Sequence, residues 1–275
     1  MILLNGTELA KKRFLKLKTK AEACANKAKL VGILIGDEPS SHIYVGKKKQ
    51  ACQKLGVLCD ILYLDKATDQ KKVLQIIEKL NQDSSVTGIL LQLPMPKHLD
   101  SLKLINSISS KKDVEGLTSQ NMGLLVQKSN SIAPCTAKAI CNILNDYDIK
   151  IKGSHVVVIG RSLIVGLPTS ILLQQQDASV SLCHSYTKNL KTIVQQADIV
   201  IVSVGKKYFL DKTYFKKNAV VLDVGISREN DKLYGDVCPD GLENILSAYS
   251  PVPGGVGPMT IQTLIENLIF LQQSL

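Results

Sequence analysis

The sequence contains no tryptophan and only four phenylalanines, and aromatic residues make up 4% of the chain. Proteins that bind single-stranded nucleic acid by stacking interleave aromatic and basic side chains, a combination that this sequence lacks. Its longest apolar runs, such as 156–160 and 199–204, are far shorter than the roughly 20 residues of a membrane-spanning helix. The N-terminus lacks the basic start, long apolar middle and cleavage site of a secretory signal. We therefore expect a cytoplasmic protein without a membrane partner.

Patterns of metal ligands and disulfides are also missing. The four histidines are unclustered, and the cysteines are odd in number and contain no Cys-x-x-Cys pair. We expect buried, reduced thiols and no metal site. The seven cysteines are Cys24, Cys52, Cys59, Cys135, Cys141, Cys183 and Cys238.

Positive charge is in surplus: the chain has 34 Lys and Arg and 24 Asp and Glu, for a formal net charge of +10. Such a surplus suits nucleic acid or small polyanionic ligands. The lysines nevertheless occur in short, dispersed runs, which is equally typical of a solvated basic surface. Charge alone does not decide between these interpretations.

Short β-branched runs alternate with helical stretches, which predicts an α/β protein with parallel strands. The tail after Pro258 predicts an amphipathic helix capped by Thr260, with Ile261, Leu264 and Leu268 on one face. We expect two lobes around a cleft, the second a Rossmann-like doubly wound parallel sheet. The predicted strands are 30–36, 57–64, 87–93, 155–160, 179–184, 197–205 and 219–225, and the predicted helices include 41–55, 69–82, 99–107 and 137–145.

The second lobe opens on a buried strand, 155–160, that ends in Gly160 and leads through Arg161 into a helix. A glycine-rich turn at this point of a Rossmann lobe presents backbone amides and a helix N-terminus to a pyrophosphate. Ser162 and Val165 replace the second and third glycines of the G-x-G-x-x-G pattern. Any βα turn can carry a glycine, so the turn by itself leaves dinucleotide binding open.

The end of the following strand bears on which dinucleotide is bound. NAD-specific sites place a carboxylate there for the ribose hydroxyl, whereas residues 183–187 read Cys-His-Ser-Tyr-Thr. A hydroxyl, a histidine and Arg161 across the turn favour a 2′-phosphate. The alternative is a polar loop without a ligand. We predict NADP in preference to NAD.

In the first lobe, Tyr44 and Lys48 stand four residues apart on a predicted helix and therefore share one face. A lysine placed in a cleft can lose hydration and exchange protons near neutrality, and a phenol beside it can position it. Three consecutive lysines at 47–49 also fit an exposed helix with solvated lysine side chains. The residues alone leave both interpretations open.

Two further segments resemble cleft walls. Gln92 lies at the end of a strand and precedes two prolines in Leu93-Pro94-Met95-Pro96, where it can hydrogen-bond Lys48. The second segment, 251–258, reads Pro-Val-Pro-Gly-Gly-Val-Gly-Pro. We expect it to form a rigid loop rather than helix or sheet, which a planar ligand can approach closely.

With these segments the sequence resembles the bifunctional methylenetetrahydrofolate dehydrogenase/methenyltetrahydrofolate cyclohydrolase family over almost its whole length. The motif at 251–260 is highly specific, and the others occur in the expected order. The motifs are Tyr44-x-x-x-Lys48, 92–96, Lys112–Gly116, Pro134–Thr136, Gly160–Ser162 with Val165-Gly166-x-Pro168, Cys183–Ser185 with Thr187, Asp223–Ile226, Gly235–Val237 and Pro251–Thr260.

The resemblance implies specific roles for several residues. Lys48 is implied to be the key residue of the cyclohydrolase step, oriented by Tyr44 and Gln92, and these three residues also bind folate. The remaining implied folate contacts are Glu115, Pro253 and Gly254, and the implied NADP contacts are Gly160, Arg161, Ser162, Ser185 and Ile226.

One departure concerns Glu115, which stands where the family usually has aspartate in Asp-Val-Asp-Gly. Glutamate retains the carboxylate expected to bind the pterin ring but extends it by one methylene. Displacement of reacting groups by about 1 Å can lower a rate about 100-fold.

The resemblance further implies a homodimer with a folate-binding catalytic domain (1–138 with 258–275) and an NADP-binding domain (139–257). It implies a role in one-carbon metabolism and purine biosynthesis, with a polyglutamylated folate as an anionic substrate that suits the positive net charge. Two rivals are an NADP dehydrogenase of small hydroxy acids, which leaves segment 251–260 unexplained, and a nucleic-acid-binding protein, for which no recognition motif is present.

Overall fold

The computed structural model describes residues 1–22, 28–129, 132–230 and 232–273, so Cys24 lies outside the described residues. The chain divides into two compact units. The small-sheet unit comprises Arg13–Cys135 and Ile261–Leu275, and the large-sheet unit comprises Met1–Lys12 and Thr136–Thr260.

Strands and helices alternate along the described residues, as the sequence predicted. Short 3₁₀ helices lie at Lys212–Tyr214 and Leu242–Asn244. The elements are β1 (Ile2–Leu3), α1 (Gly6–Glu22), β2 (Lys29–Ile35), α2 (Pro39–Lys54), β3 (Leu58–Leu64), α3 (Gln70–Gln82), β4 (Gly88–Leu91), α4 (Ser101–Asn106), α5 (Ser119–Val126), α6 (Cys135–Asp146), β5 (His155–Ile159), α7 (Gly166–Gln174), β6 (Ser179–Cys183), α8 (Leu190–Val194), β7 (Ile199–Val202), β8 (Val220–Asp223), β9 (Ser227–Glu229), β10 (Lys232–Tyr234), β11 (Ala248–Ser250) and α9 (Val256–Gln273).

The small-sheet unit is built on a parallel sheet of order β3-β2-β4. The central strand β2 reads Lys-Leu-Val-Gly-Ile-Leu-Ile, a continuous apolar run typical of a parallel strand covered on both faces. Leu30 packs in one core with Leu268 of α9, whereas Ile33 packs in a second core with Ile77 of α3. The chain passes from β2 to β3 on one side and returns to β4 on the other, which makes the carboxyl ends of β2 and β4 a topological switch point.

The large-sheet unit contains a six-stranded parallel sheet of order β1-β11-β8-β7-β5-β6. From β5 the chain runs outward to β6 and then returns to β7 on the other side of β5. This reversal is the doubly wound arrangement in which dinucleotides bind beyond the carboxyl ends of the strands. The fold class predicted from the sequence is therefore confirmed.

The predicted strands and helices are present with boundaries shifted by a few residues, but two expectations near the C-terminus are wrong. Helix α9 begins at Val256, so segment 251–258 is not loop throughout. Pro258 is tolerated in the first turn because the amides there have no partner within the helix. Thr260 does not cap the helix: it lies inside it and donates its hydroxyl to the Val256 carbonyl at 3.2 Å.

The N-terminal strand β1 pairs in parallel with β11, so residues 1–12 cluster with the large-sheet unit. The unit boundaries at Thr136 and Thr260 lie close to the proposed domain limits of 138/139 and 257/258. The assignment of residues 1–138 to one functional domain remains a proposal. Within that range, Met1–Lys12 pack with the large-sheet unit.

The six cysteines within the described residues are free thiols: Cys52, Cys135, Cys141 and Cys183 are buried, and Cys59 and Cys238 are partly buried. Across the described ranges, no helix is both long and apolar enough to span a bilayer. In the same residues, no group of three or more His, Cys, Asp or Glu side chains is arranged to hold a metal ion.

Candidate active site

Helix α2 places a lysine inside the small-sheet unit. Pro39 occupies the start of the helix, where its missing amide hydrogen has no consequence. Tyr44 and Lys48 lie four residues apart and share a face. Lys48 is only 7% exposed, whereas its neighbours Lys47 and Lys49 are exposed. The interpretation of Lys48 as a solvated surface lysine is therefore wrong.

The buried ammonium of Lys48 contacts two side chains. Its Nζ donates to Oε1 of Gln92 at 3.1 Å and to Oε1 of Glu115 at 3.4 Å. The Gln92 amide nitrogen donates to the Leu93 carbonyl at 2.7 Å, which leaves its oxygen directed at Lys48. An ammonium carries three donors, so one N–H of Lys48 remains beyond these two contacts.

The switch point of the small sheet brings these three groups together. Gln92 follows β4, and its backbone amide donates to the Ile33 carbonyl of β2 at 2.9 Å. The segment before Glu115 runs beside β4, where the Ile89 amide donates to the Lys112 carbonyl at 2.7 Å. Lys48 comes from the helix that follows β2. The three side chains therefore come from three different connections at the same edge of the sheet.

Asp113, two residues before Glu115, is a structural carboxylate. It is 2% exposed and accepts hydrogen bonds from the amides of Gly116 (2.9 Å) and Thr118 (2.8 Å) and from the side chain of Asn121 (2.9 Å). Gly116 has a φ of +70°, and a Cβ there would lie 2.5 Å from the Ile132 carbonyl oxygen. These contacts hold the turn that presents Glu115.

Burial governs the electrostatics of the cluster. It raises the pKa of the Glu115 carboxyl, while the Lys48 ammonium opposes this rise. Burial also raises the pKa of the Tyr44 phenol, which keeps it protonated at neutral pH. In the described part of the chain, no hydrogen bond joins the Tyr44 hydroxyl to Lys48. The cluster thus combines a buried cation, an amide acceptor, a carboxyl group whose pKa is raised by burial, and a nearby phenol.

Ser41 is a polar residue of the same helix that none of the sequence motifs includes. Ser41 is 3% exposed, and its hydroxyl has no hydrogen-bond partner among the described residues. It lies three residues before Tyr44 and seven before Lys48, which places all three on one helical face. The i, i+3, i+7 spacing of Ser41, Tyr44 and Lys48 is the signal that could have placed this hydroxyl on the face of the helix that carries the lysine.

The large-sheet unit shows a tight turn after β5 that suits a dinucleotide. Gly160 has a φ of +112°, and a Cβ there would lie 2.5 Å from the Ser203 carbonyl oxygen. A Cβ on Gly166 would lie 1.7 Å from the Gly160 carbonyl oxygen. Both positions therefore require glycine. The third glycine of the G-x-G-x-x-G pattern, expected at position 165, allows the helix to pack closely on the strand, and Gly166 serves this purpose here. The N-terminus of α7 begins at Gly166 and faces this turn.

The other predicted cofactor residues lie on loops at the carboxyl ends of neighbouring strands. Arg161 and Ser162 are exposed in the turn after β5, and the Ser162 hydroxyl accepts the Val165 amide at 3.1 Å. Ser185 is exposed after β6, and Ile226 is 38% exposed after β8. All of them surround the switch point of one sheet, and the glycines let the turn pack closely against the N-terminus of α7. These residues fit a dinucleotide.

Pro253 and Gly254 belong to the large-sheet unit, in the turn before α9. Gly254 has a φ of +103°, and its carbonyl accepts the Thr7 amide at 3.0 Å. The turn closes with the Gly255 amide donating to the Pro251 carbonyl at 2.8 Å. The structure therefore places these two predicted folate contacts in a different unit from Lys48.

One unit has a doubly wound sheet with a glycine turn, and the other buries a lysine beside an amide and a carboxylate. Together they define a dinucleotide-dependent enzyme with two α/β domains. The sequence model of the tetrahydrofolate dehydrogenase/cyclohydrolase catalytic domain matches residues 4–115, and that of the NAD(P)-binding domain matches residues 134–274. The chain therefore belongs to the tetrahydrofolate dehydrogenase/cyclohydrolase family.

Individual relatives are similar to this chain over its full length. The bifunctional protein FolD of Acholeplasma laidlawii is 47% identical over 99% of both chains. The crystal structure of the bifunctional enzyme from Campylobacter jejuni superposes with a TM-score of 0.97 at 38% identity, covering 100% of this chain and 99% of that one. The Trypanosoma brucei enzyme, solved with NADP and an inhibitor, has a TM-score of 0.95 at 30% identity, covering 100% and 98%.

These matches confirm the family resemblance derived from the motifs. They cover both units, so they favour the folate enzyme over a hydroxy-acid dehydrogenase or a nucleic-acid-binding protein. The chain is a bifunctional dehydrogenase and cyclohydrolase of tetrahydrofolate chemistry with an NAD(P)-binding domain.

Proposed function

We propose that the chain oxidises 5,10-methylenetetrahydrofolate with NADP and hydrolyses the resulting 5,10-methenyltetrahydrofolate to 10-formyltetrahydrofolate, with Lys48 as the proton-transfer group. The observation that carries the assignment of Lys48 is its burial beside the Gln92 amide and the Glu115 carboxylate. Lysine is almost never buried unless it is paired, and here the pair lies at the switch point of the sheet, where ligands bind.

When bound, NADP supplies the hydride acceptor for oxidation of the methylene carbon. The chain itself supplies the binding surface: the glycine turn at 160, the N-terminus of α7 for the pyrophosphate, and Arg161 with Ser185 for the 2′-phosphate. An arginine suits this phosphate because its guanidinium forms paired, charge-assisted hydrogen bonds. This step requires no side-chain acid or base.

Hydrolysis requires proton transfer. Water adds to the electrophilic methenyl carbon and loses one proton to solvent. The bond from that carbon to N5 then breaks as N5 gains a proton and the new hydroxyl loses its proton to become the formyl oxygen. The Lys48 ammonium donates the proton that N5 gains through the N–H bond that remains beyond its contacts with Gln92 and Glu115, and the amine that results takes the proton that the hydroxyl loses. Gln92 holds the position of Nζ, and Tyr44 contributes a protonated phenol on the same helical face.

The remaining proposed folate contacts are Glu115, Pro253 and Gly254. A carboxylate such as Glu115 can accept the N–H donors of a pterin ring, and burial keeps this group in a low-dielectric environment where such bonds are strong. We propose a polyglutamylated folate as the physiological form, which the formal net charge of +10 supports.

We further propose a homodimer formed through the edge strand β3. This strand lies at the end of the sheet order β3-β2-β4, and its apolar side chains Leu58 and Tyr63 are 51% and 62% exposed. An exposed apolar edge invites pairing with another strand. Light scattering should give a mass near twice 30.0 kDa, and Tyr63→Lys should give monomers. The control Leu102→Lys, at another exposed position of the same unit, should remain dimeric.

We propose a cytoplasmic location and the functional domain limits given above. The free thiols of the described cysteines support the location, because disulfides form and persist mainly in oxidising compartments.

The reaction assignment is tested by mixing purified protein with methylenetetrahydrofolate and NADP. Quenched samples are separated by chromatography, so that methylene-, methenyl- and formyl-tetrahydrofolate are quantified together with NADPH. We expect NADPH and 10-formyltetrahydrofolate to rise together with little methenyl compound. A parallel reaction with NAD should be slower.

Accumulation of the methenyl compound with NADPH would contradict the hydrolytic role of the Lys48 cluster while leaving the oxidation intact. Absence of NADPH formation by folded protein would overturn the oxidation. A clear kinetic preference for NAD would overturn the assignment of Arg161 and Ser185 to a 2′-phosphate.

A further inference from the structure

The motif Gly235-Asp236-Val237 and the carboxylate Asp223 have no role in the steps described above. Both aspartates lie in the large-sheet unit and are fully buried, at 0% exposure. Burying a carboxylate is unfavourable unless it is hydrogen-bonded. The partners of these two carboxylates therefore indicate what each one holds in place.

Asp236 binds three consecutive backbone amides. Its Oδ2 accepts from Val204 at 2.6 Å and Gly205 at 3.1 Å, and its Oδ1 accepts from Lys206 at 2.7 Å. These residues form the loop that leaves the carboxyl end of β7. Charge-assisted bonds to three successive amides fix the path of this loop. They also explain why β7 ends at Val202 and does not extend to Gly205 as predicted.

The same carboxylate packs against the loop after β8. A Cβ on Gly225 would lie 1.9 Å from Oδ2 of Asp236, so this position requires glycine. Gly225 directly precedes Ile226, a proposed cofactor contact. The side chain of Asp236 thus lies between the loop after β7 and the loop after β8 and contacts both.

Asp223, the last residue of β8, holds Asp236 from the other side. Its Oδ1 accepts the Asp236 amide at 2.9 Å, and its Oδ2 accepts the Val237 amide at 3.0 Å and the Tyr249 hydroxyl at 3.4 Å. A Cβ on Gly235 would lie 1.9 Å from Oδ2 of Asp223. The two carboxylates therefore form a chain of contacts from the end of β8 to the loop after β7.

The strand order indicates which half of the cofactor these loops meet. In a doubly wound sheet, the pyrophosphate lies at the turn after the first strand, here β5, and the adenosine ribose lies at the end of the neighbouring strand, here β6. Strands β7 and β8 lie on the opposite side of β5. The loops that contact Asp236 therefore lie on the side of the nicotinamide half.

We propose that Asp236 is a positioning residue for the nicotinamide half of the dinucleotide: it fixes the loops after β7 and β8 that border the ring. This inference rests on the proposed NADP-dependent oxidation. Asp236 acts through the backbone of the two loops and does not take part in the hydrolytic step, which uses Lys48 in the small-sheet unit.

The test is Asp236→Asn, which preserves volume but replaces one acceptor oxygen with an N–H donor. An asparagine cannot accept from the amides on both sides, so the loop after β7 loses part of its anchor. We expect the dehydrogenase kcat to fall about 10- to 100-fold, as for a small misplacement of reacting groups, with a smaller change in the KM for NADP. The isotope effect with deuterated methylene substrate should increase, because hydride transfer becomes slower relative to the other steps.

Two controls distinguish positioning from a general loss of structure. Cyclohydrolase activity, measured on methenyltetrahydrofolate without NADP, should remain within about twofold of wild type. The matched variant Asp198→Asn removes a carboxylate that accepts the His155 amide at 2.8 Å elsewhere in the same sheet. It should leave the dehydrogenase kcat and the isotope effect unchanged.

Unchanged dehydrogenase kcat in folded Asp236→Asn would overturn the proposal, and so would a parallel decline of both activities. If that variant does not fold, Gly225→Ala displaces the same carboxylate from the other side and should produce the same selective loss. Retention of both activities in Gly225→Ala would also overturn the proposal. Failure of the wild-type protein to reduce NADP would instead refute the oxidation on which the proposal rests.

Discussion

Replacement of Lys48 by methionine is the most direct test of the active site. Methionine retains most of the length and volume of lysine, so the packing of α2 against the sheet is largely preserved. It removes the ammonium that contacts Gln92 at 3.1 Å and Glu115 at 3.4 Å. We expect the variant to lose hydrolysis of methenyltetrahydrofolate and to retain measurable oxidation of methylenetetrahydrofolate.

The size of the effect follows from the role of the group. Loss of a positioned general acid–base group typically lowers a rate by about 10²- to 10⁴-fold. At about 1.4 kcal/mol per tenfold change, this corresponds to about 3–5 kcal/mol of activation free energy for the hydrolytic step. The variant should also be less stable by about 1–3 kcal/mol, since it leaves a buried carboxylate without its cation. This loss is smaller than for a fully buried pair, because 22% of the Glu115 side chain is exposed.

The assay measures the two steps separately. Hydrolysis is followed as the disappearance of methenyltetrahydrofolate, and oxidation as the formation of NADPH from methylenetetrahydrofolate. Lys47→Met is the matched control, because it removes an exposed lysine from the preceding position of the same helix. It should leave both rates within about twofold of wild type, as is usual for exposed positions. During oxidation, Lys48→Met should accumulate the methenyl compound, whereas the control should not.

Hydrolysis by Lys48→Met at a rate close to that of Lys47→Met would refute the proton-transfer role. Loss of both activities in a variant with native circular dichroism would also contradict it, since Lys48 would then be required for binding the folate rather than for moving protons.

Three further predictions concern the rest of the protein. Glu115→Ala should raise the KM for methylenetetrahydrofolate about tenfold or more without changing the KM for NADP, because a charged hydrogen-bonding group contributes about 1.5–3 kcal/mol; unchanged folate affinity would contradict its assignment. Arg161→Ala should lower kcat/KM for NADP about 10- to 100-fold and leave that for NAD nearly unchanged, and equal losses with both cofactors would show that Arg161 does not read the 2′-phosphate. Burial raises the pKa of Asp223 to about 7 from an ordinary value of 3.8, so between these values the folded protein holds a proton that the unfolded chain has released. The free energy of unfolding should therefore fall as the pH rises through this interval, by up to about 1.4 kcal/mol per pH unit. Urea denaturation should show this slope in wild type and a reduced slope in Asp223→Asn, and equal slopes would refute the assignment.

The features of the active site that depend on residues near one another in the sequence were predicted best. The spacing of Tyr44 and Lys48 predicted a shared helical face, and Gln92 at a strand end predicted a polar group beside it. The contact between Gln92 and Lys48 is present, while the catalytic roles remain predictions. The burial of Lys48 could not be read locally, because exposed lysines flank it on both sides and only the packing of α2 on the sheet distinguishes them.

The start of the C-terminal helix was predicted wrongly from local sequence signals. The glycines and prolines of 251–258 predicted a loop, and Thr260 resembled a cap. Helix α9 nevertheless begins at Val256, because a proline in the first turn sacrifices no internal hydrogen bond. The buried hydroxyl of Ser41 was likewise not predicted, because burial of a serine depends on the packing of the helix and not on its neighbours in the sequence.

The sequence by itself determined the α/β class, the glycine turn after β5, the family and the residues that match its motifs, because periodicity and short motifs are local properties of the chain. Tertiary structure alone decided which of three adjacent lysines is buried, which acid faces it, and that Asp236 and Asp223 anchor the loops after β7 and β8. Those properties depend on residues from distant segments that meet at the carboxyl ends of parallel strands. An aspartate that binds three distant amides has no signature in its own neighbourhood.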